Sequence, residues 1–88
     1  MRIKVRFLGS LRPTNASGEI VLELPVNSKM IDIIDSISND YPEVAVALRH
    51  PARNLIMVDG IEVGNIEGLE TGISDGSEVV LVPVTHGG

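Results

Sequence analysis

Only one long stretch of this chain repeats with the period of an α-helix, and it is fenced by prolines. Met30, Ile33, Ile34 and Ile37 recur at i, i+3, i+4 and i+7, with Asp32, Asp35, Ser36 and Asn39 largely opposite. That spacing predicts an amphipathic helix of about three turns. Pro25 lies just upstream, Ser28 offers an N-cap, and Pro42 forces Tyr41 out of the α region and ends the helix. The stripe is rich in β-branched isoleucine, a modest helix former, so the helix must be held by what it packs on. A single apolar stripe needs one cover, and the rest of the chain offers strands to make it.

Residues 2–8 alternate, with Ile3, Val5 and Phe7 on one face and Arg2, Lys4 and Arg6 on the other. Period two with β-branched residues predicts a half-buried strand. Gly9 to Gly18, with Pro13, Asn15 and Ser17, reads as a loop. Glu19 to Leu24 alternates again and is expected to pair antiparallel with the first strand. Glu43 to Leu48 reads as a short second helix cut off by Pro51. Leu55-Ile56-Met57-Val58 is apolar throughout, which predicts a strand buried on both faces or nearly so. Asp59-Gly60 signals a hairpin into a very short arm, Ile61-Glu62-Val63. Ile66, Leu69 and Ile73 are the expected core pins of the irregular stretch that follows. Asp75-Gly76 makes a turn into the last strand, Glu78 to Val84. Strands gathered around one main helix make an α+β fold with the layout called a β-grasp: a mixed four- to five-stranded sheet on one helix, its first and last strands competing for the centre. Residues 1–84 are expected to form this domain and residues 85–88 a flexible tail.

At 88 residues the chain suits one small domain, and without cysteine it has no disulfide, thiol nucleophile or thiolate metal site. A reducing cytoplasm fits. The basic and apolar start is not a signal peptide, and no stretch approaches the roughly 18 apolar residues of a membrane helix. The Asn15-Ala16-Ser17 sequon is therefore expected to be empty. A net charge of −5, with Phe7 and Tyr41 the only aromatics, argues against direct nucleic-acid binding.

Several motifs have a plainer reading than their sharpest one. Gly60, Gly64, Gly68, Gly72 and Gly76 fall four apart, the spacing of a helix-packing face, but the charges among them favour turns. His50 and His86 are the only histidines and have no partner spacing for a metal site. The carboxylates lie on predicted solvent faces, with no pair set up to split acid and base roles. No phosphate-cradling glycine loop is present, so any ATP used must be bound by a partner. Lys4 and Lys29 are possible acceptors for modification, with solvated surface positions the default.

The remaining feature is Thr85-His86-Gly87-Gly88, running straight out of the last apolar strand. Two closing glycines present a carboxylate with no side chain beside it, on a backbone of wide conformational freedom. Pro83 blocks further ladder pairing on one edge of that strand. From Pro83 the six residues span at most about 20 Å, enough to enter another protein's active site.

This order of elements with this ending resembles the ubiquitin-like sulfur-carrier family, whose members include the small subunit of molybdopterin synthase, the thiamine-pathway sulfur carrier and the ubiquitin-related modifier. The match runs over the whole chain and is strongest from Asp75 to Gly88, with Met57-Val58-Asp59-Gly60 and the helix through Tyr41-Pro42 agreeing in order. Molybdopterin-type tails usually carry two prolines; Val82-Pro83-Val84-Thr85-His86 has one, and Thr-His-Gly-Gly is closer to the ubiquitin-related modifier. The resemblance implies that the chain is a carrier or modifier and not itself an enzyme, with no bound cofactor. It implies that Gly88 carries the reactive carboxylate and that Gly87, His86 and Thr85 enter a partner. That partner would be a ubiquitin-activating-type adenylyltransferase that consumes ATP, working with a sulfurtransferase. The sulfur would pass to a molybdopterin-type cofactor precursor, with a molybdopterin synthase large subunit as a further partner, or to tRNA in tRNA thiolation; alternatively target-protein lysines would attack the activated carbonyl. The rival expectation is a β-grasp interaction module that uses its sheet and no terminal chemistry.

Overall fold

The computed structural model describes residues 1–13, 18–48 and 54–84. Strands β1 (Arg2–Phe7), β2 (Glu19–Glu23), β3 (Asn54–Val58), β4 (Ile61–Glu62) and β5 (Glu78–Pro83) form one sheet in the order β2-β1-β5-β3-β4. Helices α1 (Met30–Asp40) and α2 (Pro42–Leu48) join β2 to β3. The expected α+β, β-grasp architecture is the observed one: β1 and β5 are parallel neighbours, every other pairing is antiparallel, and β5 takes the centre.

The alternation of β1 translates directly into burial. Ile3, Val5 and Phe7 are sealed inside while Arg2, Lys4 and Arg6 stand in solvent. Met30, Ile33, Ile34 and Ile37 of α1 meet them, and Val79, Leu81, Ile56 and Val58 complete the core. Phe7 and Tyr41 pack edge to face with ring centroids 5.9 Å apart, which ties the end of α1 to β1.

Three local expectations need correction. The N-cap of α1 is Lys29 and not Ser28; the Asp32 carboxylate accepts from the Lys29 amide at 2.8 Å. Ser28 is buried and its hydroxyl donates to the Pro25 carbonyl at 2.7 Å, so it shapes the approach to the helix. β3 is buried on one face only, with Leu55 39% exposed and Met57 half-buried. Of the three expected pins, Ile73 is in the core, but Ile66 and Leu69 are exposed, and Val63 takes their place. Residues 63–65 and 68–70 coil as 3-10 turns, too tight to carry a continuous apolar stripe inward. The five evenly spaced glycines lie in these turns and loops, none in an α-helix.

The Asp59-Gly60 hairpin is as expected, and both residues have positive φ, 49° and 86°. A two-residue turn of this hand matches the twist of the strands it joins, which is why Gly follows Asp there. Among the described residues, no helix is long and apolar enough to cross a membrane.

Candidate functional site

The residues after Val84 continue from the end of β5, so that end sets where they start. β5 is hydrogen-bonded on both sides: Val79 and Leu81 lie opposite Val5 and Phe7 of β1, and Val79 to Pro83 lie opposite Val58 to Asn54 of β3. A strand in the middle of a sheet, with Val79 and Leu81 fully buried, is the stiffest base this fold offers.

The ladder to β1 stops at a defined rung. The Leu8 amide donates to the Leu81 carbonyl at 3.0 Å. The next donor on that edge would be residue 83, and proline has no N–H. The Leu8 carbonyl instead accepts from the Leu11 amide at 3.1 Å, which closes a 3-10 turn over Gly9–Leu11. The proline thus ends strand pairing as its sequence position predicts.

Beside this end lies a feature that alternation rules do not reveal. Val80 and Val82 point away from α1, and their cross-strand partners on β3 are Met57 and Leu55. Leu55, Leu8 and Val84 are 39%, 37% and 36% exposed, so the outer face of the sheet is apolar near the exit of β5. Farther from the exit the same face is charged. Arg2 pairs with Glu23 at 3.4 Å, Lys4 with Glu19 at 3.9 Å and Arg6 with Glu78 at 3.9 Å. The signal in the sequence was the two unbroken apolar runs, Leu55–Val58 and Val79–Val82. They mark an apolar outer face and not burial on both sides.

The residues expected to react or to enter a partner, Thr85, His86, Gly87 and Gly88, lie outside the described residues, as do His50, Pro51 and the Asn15 sequon. Among the described residues no group of three or more His, Asp or Glu side chains could hold a metal ion. Lys4 and Lys29 are both about half exposed and both ion-paired, Lys29 with Glu70 at 3.3 Å. The buried polar side chains Ser28, Asn54, Thr71 and Ser77 all have hydrogen-bond partners, and no buried side-chain polar atom among the described residues is left without one. The described domain is therefore a satisfied scaffold whose outer sheet face is apolar beside a fixed strand end and charged away from it.

Known proteins share this scaffold. The chain is similar to the HVO 2177 protein of Haloferax volcanii, with a TM-score of 0.82 and 23% identity over 100% of this chain and 87% of that one. It is similar to the small archaeal modifier protein 1 of Methanosarcina acetivorans, with a TM-score of 0.81 and 24% identity over 99% and 96% of the two chains. A third likeness is to a chain in the complex of subunits 1 and 2 of the molybdopterin-converting factor from Helicobacter pylori 26695, with a TM-score of 0.65 and 17% identity over 100% of both chains. At these identities the likeness shows a shared fold. No curated protein matches the sequence. The model of the ThiS family matches residues 5–88, which takes in β2 to β5, both helices, the second half of β1 and the closing Gly-Gly, and the chain belongs to that family of ubiquitin-like sulfur carriers.

Proposed function

We propose that this protein carries sulfur on the carboxylate of Gly88. Standing alone, a carboxylate is a poor electrophile, because its charge is delocalised and oxide is a poor leaving group. A ubiquitin-activating-type adenylyltransferase supplies the remedy: a Gly88 oxygen attacks the α-phosphorus of ATP, pyrophosphate leaves, and the carbonyl carbon now bears AMP. A persulfide sulfur on a sulfurtransferase displaces the AMP to give an acyl disulfide, and a partner thiol then cleaves its S–S bond, leaving the thiocarboxylate on Gly88 and a disulfide on the partner. The sulfur passes from there to a molybdopterin-type precursor held by a synthase large subunit, or to tRNA. A lysine attacking the same activated carbonyl gives an isopeptide-linked protein instead. The carrier itself contributes no catalytic group, binds no cofactor, and works in the cytoplasm where these partners are.

The observation that carries this reading is the family match, which runs through the final Gly-Gly. The fold supports it, since the central strand β5 leads to that ending. The apolar patch of Leu8, Leu55 and Val82 beside the exit is the surface on which we place the partner, with residues 85–88 as the tail that reaches into it. The similar Helicobacter pylori protein is found in a two-subunit complex, which supports a partner-docked mode of action.

Gly88→Ala and a one-residue extension after Gly88 test the chemistry. Both variants should keep the wild-type circular dichroism and melting curve and lose formation of the acyl-adenylate with the adenylyltransferase. An extended protein that is activated at the full rate sinks the proposal and leaves the interaction-module reading. Intact mass of the protein from its host separates the outcomes within the carrier class: a sulfur-for-oxygen exchange marks the thiocarboxylate, and Gly-Gly remnants on lysines of other proteins mark conjugation.

A further inference from the structure

We propose that Gly9 is a positioning residue: together with Pro83 it forms a packed bearing that fixes the course of the chain where it leaves the sheet at Val84. The effect on Gly88 chemistry rests on the function proposed above; the bearing itself does not.

The end of β5 lacks one of its two hydrogen-bonded edges. Pro83 still lies opposite Asn54 of β3, but on its β1 side it has no N–H to continue the ladder. A strand end held on one side only can swing away from the sheet. Here the missing rung is replaced by contact. β1 turns off at Gly9, which has a φ of +53°. The turn is locked by the Arg12 amide donating to the Gly9 carbonyl at 3.1 Å and by Leu11, buried in the core. Gly9 therefore cannot drift, and the Pro83 ring lies against it. A Cβ placed on Gly9 would stand 3.0 Å from Pro83 Cγ and 3.7 Å from Cδ. The proline ring occupies the space a side chain at residue 9 would need. Pro83 is thus gripped between β3 and a glycine face, with its own φ set by its ring.

Direction at this point is magnified downstream. Four residues beyond Val84 reach at most about 14 Å, so the direction of the root decides which part of the surroundings the tail can sample. A tail aimed before docking spends less binding energy on ordering. Once the tail is held in a partner's channel, its root direction no longer matters to the reacting carbonyl. The bearing should therefore act on KM and leave kcat alone.

A second glycine provides the control. Gly68 has a φ of +59°, close to that of Gly9, and nothing within 4 Å of its would-be Cβ. Alanine there imposes similar backbone strain without touching Pro83. Four variants of the full chain are compared: Gly9→Ala, Gly68→Ala, Pro83→Ala and the double variant Gly9→Ala/Pro83→Ala. Two readouts are taken, backbone residual dipolar couplings of Val84 without any partner, and ATP–pyrophosphate exchange with the host's ubiquitin-activating-type adenylyltransferase. Gly9→Ala should change the Val84 couplings and raise KM about tenfold with kcat within about twofold, since the loss is of preorganisation. Gly68→Ala should lower the melting temperature comparably and change neither readout. The double variant should match Pro83→Ala, because the ring that clashes is gone. Val84 couplings that respond equally to Gly9→Ala and Gly68→Ala, or a double variant that keeps the Gly9→Ala defect, overturn the bearing. A wild-type protein that the enzyme does not adenylate sinks the Gly88 reading instead, and the Val84 couplings then decide the bearing by themselves.

Discussion

Ser77 donates from Oγ to Asp59 Oδ2 at 2.9 Å, across 18 residues of sequence. The other carboxylate oxygen of Asp59 accepts from the Glu78 amide at 2.9 Å. The Asp59 amide in turn donates to the Glu78 carbonyl at 2.9 Å, so the β3–β4 turn is stitched to the first residues of β5. Asp59 holds a φ of 49°, a conformation that Asp and Asn tolerate better than most. Asp59→Ala should cost about 2–3 kcal/mol, from the lost charge-assisted bonds and the strain at positive φ. Asp59→Asn should cost less, since its amide oxygen can still accept. Urea unfolding of the two variants checks the order; equal losses would show that the hydrogen bonds contribute nothing specific.

Ile34 and Val46 test where the core ends. Ile34 on α1 is fully buried against the sheet, whereas Val46 on α2 is 60% exposed. Ile34→Ala removes buried methyl groups and leaves a cavity, which should cost about 3–4 kcal/mol. For a small domain that is a large share of its total stability. Val46→Ala should stay within about 0.5 kcal/mol, because little burial is lost and alanine is the better helix former. Denaturant midpoints at constant m-value measure both, and a Val46 loss approaching that of Ile34 would mean that α2 buries its other face in solution.

The ion pairs of the outer face make a contrasting case. Arg2–Glu23 has side chains 75% and 72% exposed, and the Lys4–Glu19 and Arg6–Glu78 pairs are nearly half exposed at 3.9 Å. Exposed pairs with long side chains gain little after screening and ordering. Arg2→Ala should therefore change stability by less than about 0.5 kcal/mol, and added salt should not lower the melting temperature of the wild type through these contacts. Thermal melts at low and high ionic strength provide the measurement. A drop of several degrees on adding salt would show that the three pairs act as a network.

The parts of this molecule legible in its sequence are those governed by a single period. Arg2–Phe7 alternates and is a strand; Met30, Ile33, Ile34 and Ile37 share a helical face and are buried. What was not legible depended on two causes giving one pattern. An unbroken run such as Leu55–Val58 arises from burial on both faces or from an apolar outer face, and periodicity does not separate them. Sequence alone does not separate Ser28 from Lys29, because the N-cap is set by backbone geometry: the buried Ser28 hydroxyl goes to Pro25, and Asp32 supplies the bond from within the first turn. Gly9 gave no signal, since its role comes from Pro83, which lies 74 positions later and meets it only once β1 and β5 are parallel.

Leu55 offers the sharpest separation of stability from recognition. It lies opposite Val82 in the β3–β5 register, on the outer face, and is 39% exposed. A carboxylate placed there keeps contact with water, so Leu55→Glu should cost the domain no more than about 1 kcal/mol. At the centre of a docked interface the same charge would be desolvated without a partner, a penalty of several kcal/mol. Leu55→Glu should therefore melt within a few degrees of wild type and weaken association with the adenylyltransferase by about 100-fold or more. Val26→Glu is the matched control: Val26 is 74% exposed and lies between β2 and α1, away from this face, and it should bind as wild type does. Titration calorimetry of the two variants, alongside their melting curves, makes the comparison. Equal affinity for both would remove the outer face of the sheet from the docking surface and leave recognition to residues 85–88.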